Sequence, residues 1–583
     1  HSYGSKVFFQ LTAGLGRNFP IAKQMWDNYD RLNKMMNLDL TTASADEGLP
    51  NRWIPEYKTK QLTAEDIKNI IDGIAKTALL CKENGADGID VHAIHEGYLL
   101  DQFACSYTNH RDDEYGGDLK NRLRFTCEIV KAIKKVCGDD YPVILRYSVE
   151  SKVRDFNKGI IPEDHSSVEI GRNLEESIEA IKILEEAGFD GFNADNGTYD
   201  SWYYAHPPVY MPLNCNLKES IAIKPYTSKT VICAGRMQLD EASKAISEGK
   251  LDFVGIGRQF LAEEEYLTKI SEDRLEDIRP CISCHLGCMP IGLWKDSGAV
   301  YESINPGCAL NPHTANEKKY DVVPSEKPQH FAVIGAGIAG MEFALQAVKR
   351  GHTVDLYEKS KRLGGVFNEA ASFTFKEKDR ELLEYYATQI RKNNINVHFN
   401  YEVKKLKDIN ADQYIIATGS KGVKSIKVTG NEYTVTALDF LRRKSECGDD
   451  IVIIGGGLTG CEIAYELAMQ GKKVSIIEMM DDILKVPGVS MANTSYLRDA
   501  FEYYNVDIYT EANVKEIAED SVIVETKDGI HKVISDQTIV SIGYTAGVSI
   551  EIENENVHVI GDANKVSNLL NAIVQANDLL IQF

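Results

Sequence analysis

Short hydrophobic runs alternate with longer amphipathic stretches up to about residue 265 of the chain. The short runs predict six strands, at residues 7–11, 88–92, 143–147, 191–194, 230–234 and 253–256. The longer stretches predict helices, among them 64–84, 119–136, 175–187 and 239–248. Turn signals precede strands at residues 85–88 and 188–191, as repeated βα units require. Repetition of that unit predicts an α/β fold, either a parallel barrel or a doubly wound sheet.

Beyond residue 330 the pattern changes to a strand that runs into closely spaced glycines and then a helix. Gly335, Gly337 and Gly340 form G-x-G-x-x-G after an apolar strand, and a second strand ends at Glu358. Such glycines permit a tight turn that brings backbone N–H groups against a pyrophosphate at a helix N-terminus. The carboxylate of Glu358 is placed to accept a hydrogen bond from a ribose 2′-OH. We therefore predict a dinucleotide site here.

The same set recurs further along the chain, with Gly455, Gly457 and Gly460 followed by a strand that ends at Glu478. The competing interpretation, two glycine-rich turns in ordinary α/β domains, is disfavoured by the full order of strand, glycines, helix, strand and acid. An NADP site favours Arg beside the acid, for the 2′-phosphate, whereas Met479 follows Glu478. NADH is therefore the predicted coenzyme of the second site.

Two further strings favour FAD at the first site. Residues 414–419 (YIIATG) resemble the A-T-G segment of pyridine-nucleotide flavin reductases, and residues 559–562 (VIGD) resemble their late G-D segment. The resemblance implies that Gly561 and Asp562 hold FAD, and Gly365 is assigned to the same site. The order of these strings predicts an FAD domain that is interrupted by an NADH domain and completed by the C-terminal residues.

Three cysteines lie close together between these regions. Cys281, Cys284 and Cys288 have the spacing C-x-x-C-x-x-x-C, which can bind three corners of a 4Fe–4S cubane. Cys308 is the predicted fourth ligand. Structural zinc is the alternative, because four thiolates bind zinc equally well. In a chain with two redox nucleotides we favour the cluster, and we interpret His285, inside the motif, as a solvated loop histidine rather than a ligand.

Composition narrows the functional class. The chain has 583 residues, enough for three or four domains, with a net charge of −22 and a pI near 5.2. So acidic a surface repels phosphate backbones and anionic lipid, which argues against nucleic-acid and membrane partners. No apolar run has the length of a spanning helix, and the first residues lack a signal-peptide pattern. These features predict a cytoplasmic protein that acts on a small molecule, and they are compatible with a homo-oligomer.

Several motifs in the first half resemble those of old yellow enzyme-like NADH:flavin oxidoreductases. They are residues 10–17 (QLTAGLGR), 109–125 (NHRDDEYGGDLKNRLRF, with Asp118 where the family has Ser), 231–236 (VICAGR) and 254–258 (VGIGR). The two sets of strand, glycines, helix, strand and acid are dinucleotide fingerprints. With these fingerprints and the cysteines, nearly the whole chain resembles the long iron–sulfur branch of the family. That branch includes 2,4-dienoyl-CoA reductase, trimethylamine dehydrogenase and bile-acid-inducible steroid reductases. The resemblance implies a TIM (β/α)8-type barrel followed by an iron–sulfur segment and nested Rossmann-like FAD and NAD domains.

The resemblance also implies roles for individual residues. Gln10 would hydrogen-bond the pyrimidine edge of FMN, and Arg146 would place positive charge near the flavin N1–C2=O. The FMN phosphate would be held by two Gly-Arg loops, Gly235 with Arg236 and Gly257 with Arg258. His92 and His95 match the anchors for the substrate oxygen, and Tyr98 matches the proton donor.

The spacing around these histidines departs from old yellow enzyme. Glu96 is an extra residue between the histidine pair and Gly97, which raises the alternative that His95 is displaced. A second alternative is that His92 and His95 only satisfy hydrogen bonds in the mouth of a barrel. Dienoyl-CoA reductases also have an acid before Gly-Tyr, so the extra residue points to that subtype.

The predicted domains are an FMN-binding barrel over residues 1–275, an iron–sulfur segment and linker over 276–325, an FAD domain over 326–445 and 546–583, and an NADH domain over 446–545. The six strands correspond to the third through eighth of such a barrel, and the chain lacks an initiator Met. We therefore expect an N-terminally incomplete sequence whose barrel does not close. The long spacer between Cys288 and Cys308 predicts an inserted loop around 293–302.

Two functions compete at this stage. The first is an NADH-dependent ene-reductase that passes electrons from NADH through FAD and the cluster to FMN, for an enoyl-CoA, an enoate or a 3-oxo-4-ene steroid. The second is an amine dehydrogenase of the trimethylamine dehydrogenase type, which donates electrons to a partner flavoprotein. Intact acids at Glu358 and Glu478 favour the first. The aromatic run 199–210 is interpreted either as the roof of a site for a bulky substrate or as a packed loop.

Overall fold

The structure is a computed structural model that describes residues 1–18, 43–52, 59–289, 307–423, 426–443, 447–486, 488–548, 550 and 556–583. The predicted inserted loop at 293–302 lies outside these residues. The chain forms two compact units. The first contains His1–Ile256 and Met491–Asp499, and the second contains most of the remainder. None of the described helices combines the length and the apolar character needed to cross a bilayer.

The first unit is built on one parallel sheet whose six strands are adjacent in chain order. They are β1 (Phe8–Thr12), β2 (Gly88–Ile94), β3 (Val143–Ser148), β4 (Gly191–Asp195), β5 (Thr230–Ala234) and β6 (Phe253–Gly255). All six predicted strands are thus confirmed, to within two residues at each end. In the described residues β1 and β6 form the two edges and do not pair with each other, as expected.

Helices connect successive strands and cover the sheet. The principal ones are Ala64–Glu83, Leu99–Ala104, Leu119–Arg122, Arg124–Cys137, Leu174–Ala187, Trp202–Ala205, Leu217–Ile223 and Leu239–Ser247. The first begins in a capping box in which Thr63 and Asp66 exchange hydrogen bonds, and it buries Ile67, Ile71 and Ile74 on one face. The strands carry fully buried residues such as Val91 because parallel strands bear a helical layer.

The helix predicted over 119–136 is interrupted near its start. Leu119–Arg122 and Arg124–Cys137 are separate helices that meet at Leu123. The carboxylate of Asp118 accepts a hydrogen bond from the backbone N–H of Asn121 (2.9 Å) and caps the short helix. Asp118 therefore performs the capping that a Ser can also provide, which explains why the family motif tolerates it here.

The second unit contains two parallel sheets with the predicted nesting. The first sheet has the order Asn396–Phe399, Thr353–Glu358, His330–Ile334, Gln413–Ile416 and Val557–Val559. The second sheet has the order Thr434–Thr436, Gln537–Val540, Asp450–Ile454, Lys473–Ile477 and Asp507–Tyr509. Because Val557–Val559 follows the whole second sheet in sequence and pairs with Gln413–Ile416, the first sheet is completed only near the C-terminus.

Helices and small antiparallel sheets complete this unit. Its principal helices are Arg258–Ala262, Tyr266–Ser271, Glu317–Tyr320, Ile338–Lys349, Phe367–Ala370, Glu377–Lys392, Ala437–Arg443, Leu458–Met469 and Leu569–Leu580, and Met491–Tyr503 has residues in both units. A three-stranded antiparallel sheet consists of Asn513–Ile517, Ser521–Thr526 and Gly529–Ile534, and a two-stranded ribbon pairs Ser420–Gly422 with Tyr544–Ala546. This ribbon joins the two segments that connect the parallel sheets.

Candidate active site

The end of β2 brings His92 and Tyr98 together. After the strand, Glu96 and Gly97 both adopt left-handed backbone conformations, with φ of 55° and 64°. The chain therefore turns sharply, and Tyr98 caps the helix Leu99–Ala104. The rings of His92 and Tyr98 meet edge to face with centroids 4.4 Å apart. This is the carboxyl end of a parallel strand, where βα loops build active sites in barrels.

His95 is held by the two following strands. Its Nδ1 lies 3.2 Å from the hydroxyl of Ser148 and 2.9 Å from a carboxylate oxygen of Asp195. The Ser148 hydroxyl donates to the carbonyl of Gly197 (2.7 Å), so its oxygen accepts from Nδ1–H of His95. In the neutral ring, Nε2 then keeps its lone pair. His95 lies beside His92, with centroids 5.3 Å apart, so the extra residue does not separate the pair.

Glu96 is a candidate functional residue whose role is not apparent from the sequence. Its side chain is 5% exposed, and it contacts Nε2 of His206 and accepts from the indole N–H of Trp202 (3.3 Å). Its backbone bridges to Thr198. Burial acts to raise the pKa of Glu96, but the charges of His206 and His95 outweigh burial and hold that pKa well below its usual range. Glu96 is therefore a buried carboxylate that ties the loop after β4 to the end of β2.

Tyr98 is poised as a protonated phenol. Its hydroxyl lies 3.2 Å from that of Tyr199, the two rings stack with centroids 5.6 Å apart, and it hydrogen-bonds Glu96. Burial and the charge of Glu96 raise the pKa of Tyr98 far above its usual value. Burial, followed by the charge of His95, lowers the pKa of His92 to about 3. Near neutral pH the site therefore presents a neutral imidazole next to a neutral phenol.

Both interpretations of the aromatic run 199–210 hold, each for a different part of the run. The rings of Tyr199 and Trp202 pack at a tilt of 33°, with centroids 4.9 Å apart, and the two residues contact Tyr98 and Glu96 respectively. Tyr203 is fully buried, and its hydroxyl donates to Asp499 (3.1 Å). The first part of the run thus belongs to the site, and the middle is packed.

The predicted FMN residues Gln10 and Arg146 lie on β1 and β3, on either side of β2. The side chain of Gln10 donates to Asp90 (3.0 Å), and Arg146 pairs with Asp195. Burial lowers the pKa of Arg146, but Asp195 and Glu96 more than compensate, so the guanidinium stays charged. Its Nε is buried without a hydrogen-bond partner among the described residues. A buried donor that lacks an acceptor fits the polar edge of a flavin.

The two predicted phosphate loops belong to different units. Gly235 has φ of 126°, and Arg236 follows at 48°, with its guanidinium donating to the carbonyl of Val209 (2.9 Å). In the second unit, Gly257 caps the helix Arg258–Ala262, and a Cβ on Gly257 would meet no atom within 4 Å.

Arg258 contacts the cysteine loop. Its guanidinium Nη1 lies against Nε2 of His285, which is only 1% exposed. The interpretation of His285 as a solvated loop histidine was therefore wrong. The ring is buried because left-handed residues at Ser283, His285 and Gly287 wind the loop tightly and turn His285 inward.

The four predicted cluster ligands lie in one region of the second unit. Gly307 N–H donates to the carbonyl of Gly287 (3.0 Å), which sets the Cys308 segment beside the loop with the other three. Burial raises the pKa of Cys284, and the nearby thiols of Cys288, Cys281 and Cys308 raise it further through charge repulsion. Burial also raises the pKa of Cys288 to about 11. Buried thiols with raised pKa values become thiolates readily only when a cation binds them, which fits a metal site.

The first fingerprint has the geometry of a pyrophosphate cradle. A Cβ on Gly335 would lie 2.4 Å from the carbonyl of Ala417, and one on Gly340 would lie 2.0 Å from the carbonyl of Gly335. A Cβ on Gly337 would meet nothing within 4 Å. The first and third glycines therefore permit close backbone packing, and the second leaves room for a ligand at the N-terminus of Ile338–Lys349. Glu358 accepts from the N–H of Ala336 in this loop (3.0 Å).

The second fingerprint repeats this arrangement. A Cβ on Gly455 would lie 2.3 Å from the carbonyl of Ser541, and one on Gly460 would lie 2.1 Å from the carbonyl of Gly455. A Cβ on Gly457 would meet only the side chain of Val486, at 3.9 Å. Glu478 accepts from the N–H of Gly456 (2.7 Å), and Met479 beside it is 72% exposed. Both loops fit dinucleotides, and the second presents no basic side chain next to its acid.

Three other residues assigned to FAD lie near the first loop or at the end of its sheet. Gly365 has φ of 53°, and a Cβ there would lie 3.1 Å from Cα of Gly337. Asp562 accepts from the hydroxyl of Ser420 (2.9 Å) and the N–H of Ser567 (3.0 Å), and Gly561 before it has φ of 63°. Their roles toward FAD stay predictions.

Comparisons with known proteins agree with this architecture. Residues 1–277 match the NADH:flavin oxidoreductase / NADH oxidase family, and residues 311–410 and 382–568 match pyridine nucleotide-disulphide oxidoreductases. The chain is 38% identical to cinnamate reductase of Clostridium sporogenes, over 99% of this chain and 84% of that protein. It is 31% identical to NADH oxidase of Thermoanaerobacter brockii, over 98% of this chain and 84% of that protein.

A solved structure shows the same arrangement over most of its length. The complex of 2-naphthoyl-CoA reductase with 2-naphthoyl-CoA superposes with a TM-score of 0.81 and 29% identity, over 93% of this chain and 80% of that one. The barrel-type fold with a flavin reductase region is thereby confirmed, as is the predicted enzyme class of NADH-dependent ene-reductase. The chain belongs to the NADH:flavin oxidoreductase / NADH oxidase family, in the group that carries a pyridine-nucleotide reductase region after the barrel.

Proposed function

We propose that the enzyme reduces the activated C=C bond of an aryl enoate such as cinnamate with electrons from NADH. When bound, NADH, FAD, a 4Fe–4S cluster and FMN supply these electrons in that order. The observation that carries the proposal is the pairing of a neutral His92 with a protonated Tyr98 at the end of β2. One group can hold a carbonyl oxygen, and the other can protonate the carbon next to it.

His92 is the proposed direct anchor of the substrate carbonyl. As a neutral ring it carries one N–H, which can donate to an oxygen. His95 already uses Nδ1–H for Ser148, so it donates to substrate only in its protonated form. Its proposed role is therefore to support His92, whose ring it contacts.

Tyr98 is the proposed proton donor to the α-carbon. Its phenol is protonated across the physiological pH range because burial and Glu96 both disfavour the phenolate. After each turnover the phenol must regain a proton. The contacts from Tyr98 to Glu96 and from Glu96 to His206 lead toward solvent, because the side chain of His206 is 32% exposed. We propose this chain as the route of reprotonation.

The aromatic lining supports an aryl substrate. Tyr98 and Tyr199 stack, and Trp202 adds a third ring beside Tyr199. Flat aromatic faces favour a substrate with a ring conjugated to the alkene. Two relatives are named for aryl compounds, cinnamate and 2-naphthoyl-CoA. The amine dehydrogenase alternative has less support, because Glu358 and Glu478 are both in place at their glycine loops.

The sequence pattern of the cysteines supports a cluster over zinc. Three thiolates at the spacing C-x-x-C-x-x-x-C can bind three corners of a cubane. The chain also carries two glycine loops that fit redox dinucleotides, so an electron-transfer cluster suits it better than structural zinc.

The test is an anaerobic assay of the holoenzyme with NADH against trans-cinnamate, an enoyl-CoA, a 3-oxo-4-ene steroid and a tertiary amine. The proposal predicts NADH oxidation with cinnamate and equimolar formation of the saturated acid. Bleaching of the flavin by the amine in the absence of NADH, with no reaction of cinnamate, would establish the dehydrogenase alternative instead.

A further inference from the structure

The side chains of His92, His95 and Glu96 form a compact group of metal-binding atoms. One ligand atom from each lies within 4.8 Å of the other two, and all three residues are buried. Nε2 of His95 lies 3.8 Å from Oε1 of Glu96. Two ligands bound to one zinc at tetrahedral angles lie about 3.4 Å apart. The group therefore needs only a small contraction to surround a cation.

The groups that hold these side chains in place resemble those around a metal site. Metal-binding histidines commonly engage the other ring nitrogen with a hydroxyl, carbonyl or carboxylate. Nδ1 of His95 lies against Ser148 and Asp195, which leaves the lone pair of Nε2 on the side of Glu96. The carboxylate of Glu96 is in turn held by the indole of Trp202. Two of the three donors are thus oriented before any cation binds.

The charges at the site favour a cation. Glu96 and Asp195 are carboxylates, and Arg146 is the guanidinium that faces them. Because Arg146 pairs with Asp195, Glu96 is the carboxylate of the group that remains to bind a cation. His206 contacts Glu96 through its Nε2, so it can supply a fourth nitrogen. Two or three imidazoles with one carboxylate is a donor set typical of zinc.

We infer that His92, His95 and Glu96 bind a divalent first-row cation such as Zn²⁺ at the place where the substrate carbonyl is anchored. A bound cation would occupy the lone pair of His95 and withdraw Glu96 from Tyr98, so it would block alkene reduction. That inhibition rests on the proposed function, whereas the binding of zinc does not. The inference therefore has a readout that is independent of catalysis.

The test is equilibrium dialysis of the holoenzyme against buffered Zn²⁺, with bound zinc and iron measured in the same samples. Iron content reports whether zinc has displaced the cluster. The variants are His92→Ala and the nearly isosteric Glu96→Gln, which preserves the shape of the buried site. The matched control is His110→Ala, because His110 is an exposed histidine that also pairs with a carboxylate, that of Asp46.

The wild-type and His110→Ala proteins should each bind one more equivalent of zinc than His92→Ala and Glu96→Gln, at equal iron. Equal zinc in the wild type and in both site variants would overturn the inference. Zinc should also inhibit NADH-driven cinnamate reduction while leaving reduction of FAD by NADH unchanged. If cinnamate is not a substrate, the dialysis result still decides the metal site, so the failure of one proposal is distinguished from the failure of the other.

Discussion

The carboxylate of Glu96 and the imidazole of His206 form a contact that joins the end of β2 to the loop after β4. Glu96 is almost fully buried, and His206 is the partly exposed member of the pair. The contact accounts for two features of the site. It holds Glu96 ionised beside Tyr98, and together with the bond from Trp202 to Glu96 it holds the aromatic loop at the end of β2.

His206→Asn should slow turnover by interrupting the resupply of protons to Tyr98, while leaving reduction of the flavins by NADH unchanged. Because proton delivery would become rate-limiting, the solvent deuterium isotope effect on kcat should rise. Exogenous imidazole should restore part of the rate. An unchanged isotope effect with lower affinity for cinnamate would show that His206 only shapes the loop.

Replacing Cys284 by Ala should remove iron and acid-labile sulfide and stop NADH-driven alkene reduction. Reduction of FAD by NADH should persist, because the dinucleotide loops do not involve this residue. Cys308→Ala should also lose iron. Cys447→Ala is the control, since Cys447 is another partly buried free cysteine of the same unit. A fully active Cys284→Ala enzyme would refute the electron path through a cluster.

The coenzyme preference should follow Glu478. The acid accepts from a ribose hydroxyl and repels a 2′-phosphate, so NADH should be preferred over NADPH. Glu478→Ala combined with Met479→Arg should shift the ratio of kcat/KM toward NADPH by about 10-fold or more. Met479→Arg alone is the control and should shift it less. A native preference for NADPH would contradict the assignment.

His92 should make the fold sensitive to acid. Burial and the neighbouring His95 lower the pKa of His92 to about 3, with Glu96 and Asp195 acting in the opposite direction and Arg146 in the same one. A depressed histidine pKa means that the unfolded chain binds the proton more readily, so stability falls as the pH drops below the unfolded pKa near 6.5.

The expected loss between about pH 7.5 and pH 4.5 is about 2–3 kcal/mol. Urea midpoints measured at the two pH values should therefore differ less for His92→Gln than for the wild type, and His110→Gln should behave like the wild type. Equal acid sensitivity of all three proteins would show that His92 is solvated in the folded state.

Much of this organisation could be predicted from the sequence, because its signals are local. A short hydrophobic run, a glycine triplet with a following acid, and three cysteines within eight residues each lie in one continuous segment. All six strands of the parallel sheet in the first unit and the nesting of the second unit follow from such signals.

What could not be predicted depends on pairs that are distant in sequence. Glu96 and His206 meet only because β2 and β4 end at the same edge of the sheet and Glu96 adopts a left-handed conformation. Likewise, the burial of His285 against Arg258 depends on the winding of the cysteine loop. No periodicity or spacing encodes such contacts.

The most direct test of the account is stopped-flow kinetics of Tyr98→Phe, which keeps the ring beside His92 and removes only the hydroxyl. Reduction of FMN by NADH should run at the wild-type rate, because the phenol has no role in that half-reaction. Reoxidation of the reduced enzyme by cinnamate should slow by about 10²-fold or more, the usual effect of losing a positioned acid. If both half-reactions keep the wild-type rate, Tyr98 is a packing residue and the proposed mechanism is wrong.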